Sequence, residues 1–364
     1  MFGPGTGHNI VRFLEYFKNQ NEHKLTYYHY NSEKHFSHSK YQPEINFISP
    51  YSIFKLVREI RNNQDLLWIH NWTPWPILFI VWLFAKKTTI INFNVWSESI
   101  PNMMKSSSLK AKFYRWFLNS CNTLQCTWFS TLNILKEQGF KNTALLRWGM
   151  VEEKFTSIES HIPSNYTLNF CETLESGKYR FFFPKSVSGG NRHDLIIEAS
   201  KKLTENGFTN FKVYFWLGNF NREEQLDLLK SRIEKHGLTQ QIEFVHHDFV
   251  SHQDIHYLWD KMDCGLQVLD ADQLSTSFQE PQLYLKEIIA SDIPSYQLFK
   301  QEFGVNIELI KNNVEGLYDS MKKLLEGNKT TEKELYKRQR IINEHYRFNS
   351  NMPKILNYFS LLKK

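Results

Sequence analysis

The densest gathering of reactive side chains lies late in the chain, in CGLQVLDADQLSTSFQEPQLYLKEIIASDIP, residues 264–294. This stretch reads as a strand, a polar loop and a helix over Gln282–Ala290. Ser275, Thr276 and Ser277 offer hydroxyls and backbone N–H groups near a helix start, where phosphate is well held. Glu280 is a carboxylate in the same loop. Glu287, placed on the predicted helix, could receive both hydroxyls of a ribose, or could be an ordinary surface residue of that helix. Earlier, FFFPKSVSGGNRHDLIIEA (residues 181–199) reads as a strand, a loop carrying Lys185, Gly189, Gly190 and Arg192, and a helix. Two cations on a flexible loop before a helix N-terminus suit a diphosphate; the plainer reading is a merely basic loop.

Three further segments lie in the first half. His70, with Asn71 and Trp72, ends the run LLWIH. Ligands bind outside the carboxyl ends of strands in open α/β sheets, so His70 could act as base, donor or neutral contact, or simply cap and pack. Glu98, at the end of NVWSE, could be a catalytic carboxylate, an acceptor-binding group or a solvated loop residue. Gly3, Gly5 and Gly7 in GPGTGH allow close backbone approach to a ligand at the helix start marked by His8. Cofactor binding, a cleft-lining turn and a plain structural turn all remain open there, because the full dinucleotide fingerprint is not spelled out.

The elements that must position these groups alternate. Short apolar runs are predicted as strands at Leu25–Tyr30, Ile45–Ile48, Leu66–His70, Thr89–Trp96, Thr123–Trp128 and Thr143–Arg147. Helical patterns fall between them, at Ile10–Asn19, Ser52–Asn62, Leu109–Ser120 and Ser130–Gln138. A polar, irregular stretch at Val151–Lys178 reads as a linker. A second series follows, with strands at Tyr179–Phe183, Phe211–Leu217, Ile242–Val245, Cys264–Leu269, Pro294–Leu298 and Val305–Leu309. Its helices are Asp194–Asn206, Arg222–His236, His252–Lys261 and Gln282–Ala290, and three more run to the C-terminus. Such alternation predicts parallel α/β architecture. The Gly3–Gly7 turn follows only Met1 and Phe2, so the expectation is that this chain lacks the strand that normally precedes such a turn.

Composition fits this reading. A length of 364 residues, with 41% apolar and 23% charged residues, is that of a globular chain of two domains. The net charge of +6 is mild and spread out. It leaves room for anionic lipid headgroups or phosphorylated ligands, but there is no dense basic stripe or nucleic-acid module. The four cysteines, Cys121, Cys126, Cys171 and Cys264, lack zinc spacing and read as reduced thiols. PILFIVWLFA (Pro76–Ala85) is far shorter than the ~20 residues of a membrane span. It reads as a buried or interface-facing helix, with shallow bilayer contact as the functional alternative.

An ordered set of segments in the second half resembles the donor domain of retaining GT-B glycosyltransferases, the group that includes glycogen-synthase-like and bacterial polysaccharide-assembly enzymes. WGMVEEKF (Trp148–Phe155) resembles the segment before that group's interdomain linker. DLIIEA (Asp194–Ala199) resembles its first donor-domain helix, and VYFWLGN (Val213–Asn219) a strand ending in Gly. IEFVHHDFVSHQDIHYLWDKMDCGLQV resembles the following strand–helix–strand stretch. KEIIASDIP (Lys286–Pro294) resembles "L-E-A-M-A-x-G-x-P". The first half is similar only loosely, through NVWSES.

The resemblance implies two Rossmann-like domains facing across a cleft. Residues 1–160 would form the acceptor domain, 161–345 the nucleotide-sugar donor domain, and 346–364 a C-terminal helix crossing back. It implies transfer of a sugar from a nucleotide-sugar, used as substrate and not as cofactor, to a glycan or lipid-linked acceptor, with retention and without a bound metal. Lys185 and Arg192 would neutralise the donor diphosphate, Glu287 would hold the ribose, and His70 or Glu98 would face the sugar or acceptor. Asp270-Ala271-Asp272 spells a metal-pair motif but reads as coincidental at this place. The group carries two glutamates with seven residues between them. Counting back from Glu287, the first falls on Gln279, with Glu280 one residue off. Either Glu280 takes the role through a longer loop, or the first carboxylate is absent. A non-catalytic GT-B-like nucleotide- or glycan-binding scaffold and a GT-B sugar-nucleotide epimerase are the alternatives. No nucleic-acid partner is implied. The expected place is the cytoplasm, with peripheral contact on the inner face of an anionic membrane.

Overall fold

The computed structural model describes residues 16–17, 27–29, 45–47, 53–62, 65–70, 73–95, 99–150, 155, 163–187, 190–217, 223–246, 252–272 and 274–363. Gly5, Gly7 and Glu98 lie outside the described residues, as do the helix expected from Ile10 (apart from residues 16–17) and residues 151–154 and 156–162 of the stretch from Val151. The chain divides into two compact units, Met1–Gly149 with Phe348–Lys364, and Met150–Arg347. The second unit is closed at its ends where Met150 N donates to Tyr346 O at 2.6 Å.

In the first unit the strands are β1 (Tyr27–His29), β2 (Ile45–Phe47), β3 (Leu66–His70), β4 (Ile90–Val95), β5 (Thr123–Cys126) and β6 (Thr143–Leu145). The helices are α1 (Ile53–Arg61), α2 (Trp75–Phe84), α3 (Ser99–Met103), α4 (Leu109–Ser120) and α5 (Phe129–Glu137). β1 pairs with β2, and β3-β4-β5-β6 form a parallel sheet in that order. Every residue of β4 and β5 is buried, as expected of parallel strands covered on both faces. On one face Ile69, Phe93, Leu124 and Cys126 meet Leu78 and Val81 of α2 and Phe117 and Leu118 of α4. The final helix, Phe348–Leu362, supplies Met352, Ile355 and Phe359 to a second cluster with Trp68, Ile90 and Trp148. Trp68 meets Trp148 and Phe359 edge-on at 6.1 and 5.5 Å, a geometry the ring quadrupoles favour.

The second unit opens with α6 (Asn165–Glu172), in a stretch expected to be linker. The Ser164 hydroxyl caps it by accepting from Thr167 N, and Phe170 anchors it in the core, so a polar segment still forms a helix. There follow β7 (Tyr179–Phe183), α7 (His193–Glu205), β8 (Phe211–Leu217), α8 (Glu223–Lys235), β9 (Ile242–His246), α9 (His252–Lys261) and β10 (Cys264–Gln267). Next come α10 (Thr276–Leu283), β11 (Glu287–Ser291), α11 (Pro294–Phe303), β12 (Glu308–Ile310), α12 (Val314–Leu325) and α13 (Glu332–His345). The sheet order is β12-β11-β10-β7-β8-β9, all parallel. Within this unit that is the 3-2-1-4-5-6 order of a dinucleotide-type Rossmann sheet. Period-two alternation explains its two covered faces. Phe181 and Phe183 join the cluster with α7 and α12, while Phe182 between them meets Trp259 of α9 on the other side.

One expected stretch is corrected. Gln282–Ala290 is not a helix. Helix α10 ends at Leu283, Leu285 takes a left-handed conformation at φ 57°, and Glu287 begins a fully buried strand. Pro294–Leu298, expected as a strand, is helical. Pro294 sits at the first helical position, where its missing N–H costs nothing.

Candidate donor site at the carboxyl edge of the second sheet

In a sheet of this order the connections reverse direction between the first and fourth strands, here β7 and β10, and loops diverge there to leave a crevice. Lys185 follows β7, and Asp272 and Ser275 follow β10. The Lys185 Nζ donates to Ser275 Oγ at 2.9 Å and lies 3.7 Å from Asp272 Oδ1. Asp272 Oδ2 accepts from Ser275 N and Ser275 Oγ, both at 2.9 Å, and from Tyr296 OH at 2.7 Å. The Asp272 carbonyl accepts from Ser295 Oγ at 2.7 Å. The loops after β7 and β10 and the first turn of α11 are thus tied at Asp272. Burial, and then Asp272 beside it, push the Tyr296 phenol well above its usual range, so it stays a donor.

Two residues set helix α10 against the sheet. A Cβ on Gly265 of β10 would come within 2.9 Å of Pro281 and of Trp259, so only glycine admits both. Pro281 has no N–H and leaves the Ser277 carbonyl without its usual helical partner. Gln267, at the end of β10, fills the gap by donating from Nε2 to Ser277 O at 2.8 Å. Ser275 N-caps α10 without accepting from a backbone N–H of the helix, since its hydroxyl serves Asp272 and Lys185. Ser277 Oγ shares a hydrogen bond with Ser275 Oγ at 2.9 Å, and Thr276 is exposed. The result is a helix N-terminus with hydroxyls and an ammonium beside it, the composition of an anion site.

Arg192 is held elsewhere on the same loop system. Its Nε and Nη2 donate to Asp194 at 3.0 and 2.9 Å, and its Nη1 donates to Asp270 at 3.2 Å. These bonds, Asp194 first, raise the guanidinium pKa further, and the Asp194 carboxyl is correspondingly lowered. Asp270 and Asp272, which read as a coincidental pair, therefore each hold one cation: Arg192 and Lys185. A cavity of about 830 Å³ opens beside Arg192, between α7 and α8, with Arg232, His236 and Asp270 in its wall. His193 starts α7, buried between Phe183 and Phe215 at 4.7 and 5.0 Å, and burial lowers its pKa.

The two glutamates stand apart from this edge. Glu287 begins β11, at the opposite end of the strand from the crevice. Its carboxylate accepts from Thr330 N and Thr330 Oγ1, both at 2.6 Å, and lies 3.8 Å from Nη2 of the buried Arg338. That geometry ties β11 to the chain entering α13, and the expected ribose contact is not carried to Glu287. Glu280 is 3% exposed and accepts from Trp259 Nε1 at 3.0 Å, so it is enclosed and not presented to a ligand. Gln279 is buried too, donating to Leu274 O at 2.5 Å. In the first unit His70 is the last residue of β3, in register with Asn94 of β4, at the carboxyl end of the sheet. Sequence reasoning missed Asp272. The signal for it was the Lys185-bearing loop, which needed one carboxylate partner.

The two Rossmann-like parallel α/β units and the C-terminal helices define the GT-B class of fold. Among solved structures the chain is similar over 99% of its length to 99% of the Anabaena protein Alr3699/HepE in complex with UDP, with TM-score 0.79 and 13% identity. A glycosyltransferase from Rickettsia africae aligns over 100% of this chain and 97% of its own, with TM-score 0.75 and 13% identity. A UDP-N-acetylglucosamine 2-epimerase aligns over 99% and 95%, with TM-score 0.60 and 12% identity. No protein-family model and no curated protein matches the sequence.

Proposed function

We propose that this chain is a glycosyltransferase that moves a sugar from a nucleotide-sugar donor to a glycan or lipid-linked acceptor, with retention, in surface polysaccharide assembly. The observation that carries the reading is the site at the β7–β10 switch point, where Lys185, Ser275 and the N-terminus of α10 converge. Breaking a glycosidic bond to a nucleoside diphosphate develops negative charge on the leaving group. Donors already fixed where that charge appears stabilise the transition state without reorganising. On this reading Lys185, Ser275, Thr276 and Ser277 hold the diphosphate. Arg192 keeps Asp194 on one edge of its guanidinium and trades Asp270 for a phosphate oxygen on the other. No step is assigned to a metal. The fold shared with HepE, solved with UDP and with UDP-glucose, supports a uridine-type donor.

The left-handed Leu285 also moves the register of the glutamate pattern. Placed at the glycine of "E-A-M-A-x-G", it puts the pattern's glutamate on Glu280, five residues earlier. Seven intervening residues before Glu280 then lead back to Asp272. We assign Asp272 to the first carboxylate's place, near the donor sugar, where it also anchors Lys185. His70, which ends β3, and Glu98, which follows β4 in sequence, are assigned to the sugar or acceptor. The site of action on this reading is the cytoplasm, at the inner face of the membrane when the acceptor is lipid-linked.

The test is incubation of the purified chain with a panel of UDP- and GDP-sugars, with and without glycan acceptors, reading nucleoside diphosphate release. Release from at least one donor, abolished by Lys185→Ala with Arg192→Ala, is expected. Conversion of a UDP-sugar to its epimer without acceptor would establish the epimerase reading instead. Binding without any turnover would leave a scaffold.

A further inference from the structure

The apolar helix α2 and its neighbour α4 expose aromatic side chains that a water-facing surface does not need. Trp75 is 53% exposed, Phe79 43%, Trp82 40% and Trp116 41%. They are not scattered. Trp75 meets Phe113 at 6.0 Å, Phe113 meets Trp116 at 5.6 Å, Trp116 meets Trp82 at 4.5 Å, and Trp82 meets Phe79 at 6.0 Å. Five rings therefore form one continuous strip across two helices. The inward residues of the same helices, Leu78, Val81, Phe117 and Leu118, are buried in the core, so the strip is a second apolar face and not the packing face. Contiguous exposed patches of this kind mark interaction surfaces.

Charge identifies the occupant. Lys86 and Lys87 follow the end of α2, and Lys110 and Lys112 lie in α4; all four are exposed. Lys112 shares the i, i+4 stripe with Trp116. From Leu66 to Lys136 the chain carries two Lys/Arg in residues 66–97 and five in 99–136, seven together, against the single acid Glu98. Aromatic residues flanked by lysine fit the boundary between headgroups and acyl chains, where an amphipathic ring has one end wet and one end dry. At ten residues α2 is about 15 Å long, half of a bilayer's hydrocarbon thickness of roughly 30 Å. No helix among the described residues is long and apolar enough to cross a membrane. The face suits lying on a bilayer.

We infer that the Trp75–Phe79–Trp82–Trp116 face, with Lys86, Lys87 and Lys112 at its margin, docks this protein on the surface of an anionic lipid bilayer. The contact is independent of the transfer chemistry, so it is measured without donor. The full chain is mixed with vesicles of phosphatidylcholine alone or with about one-third phosphatidylglycerol, and sedimentation and tryptophan emission are read. Partition onto the anionic vesicles with a blue shift, weakened by salt, is expected. Trp75→Gln with Phe79→Gln and Trp82→Gln should abolish the blue shift and partition. Lys86→Glu with Lys87→Glu and Lys112→Glu should weaken partition at least about tenfold. All six positions are exposed or at a helix end, and unchanged thermal melts confirm that both variants fold. No partition, or partition equal in both variants and the parent, overturns the inference. So does equal binding to neutral vesicles. A dimer that the aromatic variant splits, without vesicle binding, assigns the face to a second copy and overturns it as well.

Discussion

Lys185 Nζ stands 3.7 Å from Asp272 Oδ1, and the two residues come from the loops after β7 and β10, where the direction of the sheet's connections reverses. Their pairing joins a sequence-distant lysine and aspartate at that switch point. Three hydroxyl or amide donors reach Asp272 Oδ2, and the ammonium faces Oδ1. Asp272→Asn can keep an oxygen at the Oδ2 position but then turns its amide NH2 towards the Lys185 ammonium, and the ion pair is lost. The expected cost is about 1–3 kcal/mol of unfolding free energy, with weaker nucleotide binding in the folded protein. Urea unfolding together with a nucleotide titration checks both. An unchanged midpoint would show that the carboxylate does not organise these loops.

Glu287 is expected to act on stability alone. Glu287→Gln leaves Arg338, 1% exposed, without its carboxylate, and breaking one side of a buried pair costs about 3 kcal/mol or more. Nucleotide affinity measured below the unfolding transition should match the parent. Lost affinity in a stable variant would restore Glu287 to the donor site.

His193 gives the fold a dependence on pH. Burial lowers its pKa below 6.5, so the folded chain holds it neutral while the unfolded chain takes up a proton as pH falls through about 6.5. The stability it contributes is complete above that pH and is lost progressively below it, towards its depressed folded pKa. The fall in melting temperature between pH 7.5 and 5.5 should therefore be smaller in His193→Phe than in the parent. Parallel curves would show that another group is responsible.

Leu285 and Leu283 test the turn before β11. Leu283→Gly empties a buried helical position and should cost about 3–5 kcal/mol. Leu285→Gly removes a Cβ from a left-handed backbone that costs an L-residue roughly 1–2 kcal/mol, and should leave stability equal or higher. Chemical denaturation of the pair reads the contrast. Equal losses would mean that Leu285 does not hold that conformation.

That turn also explains what the sequence did and did not make legible. β3, β7 and β8 keep the bounds their apolar runs predict, Leu66–His70, Tyr179–Phe183 and Phe211–Leu217, because a run buried on both faces has one plausible period. The run Ile288-Ile289-Ala290 is short enough to read as helix or strand, and a leucine at the left-handed position hides the helix end that glycine would have marked. From that one misplacement followed the assignment of Glu287 to a ribose. Pro294 was the available correction, since it opens a helix and so leaves the strand before it. Lys185 and Ser275 were legible as loop chemistry. Asp272 was not, because its role depends on β7 lying beside β10, a contact between strands far apart in sequence.

The central claim is that Lys185 meets the diphosphate of a nucleotide donor. Calorimetric titration of UDP into the full chain and into Lys185→Ala tests it most directly. A charge-assisted hydrogen bond to phosphate is worth about 1.5–3 kcal/mol, so UDP affinity, measured below the unfolding transition of each protein, should fall by roughly 10- to 100-fold. Equal affinity for UDP in the two proteins would contradict the account.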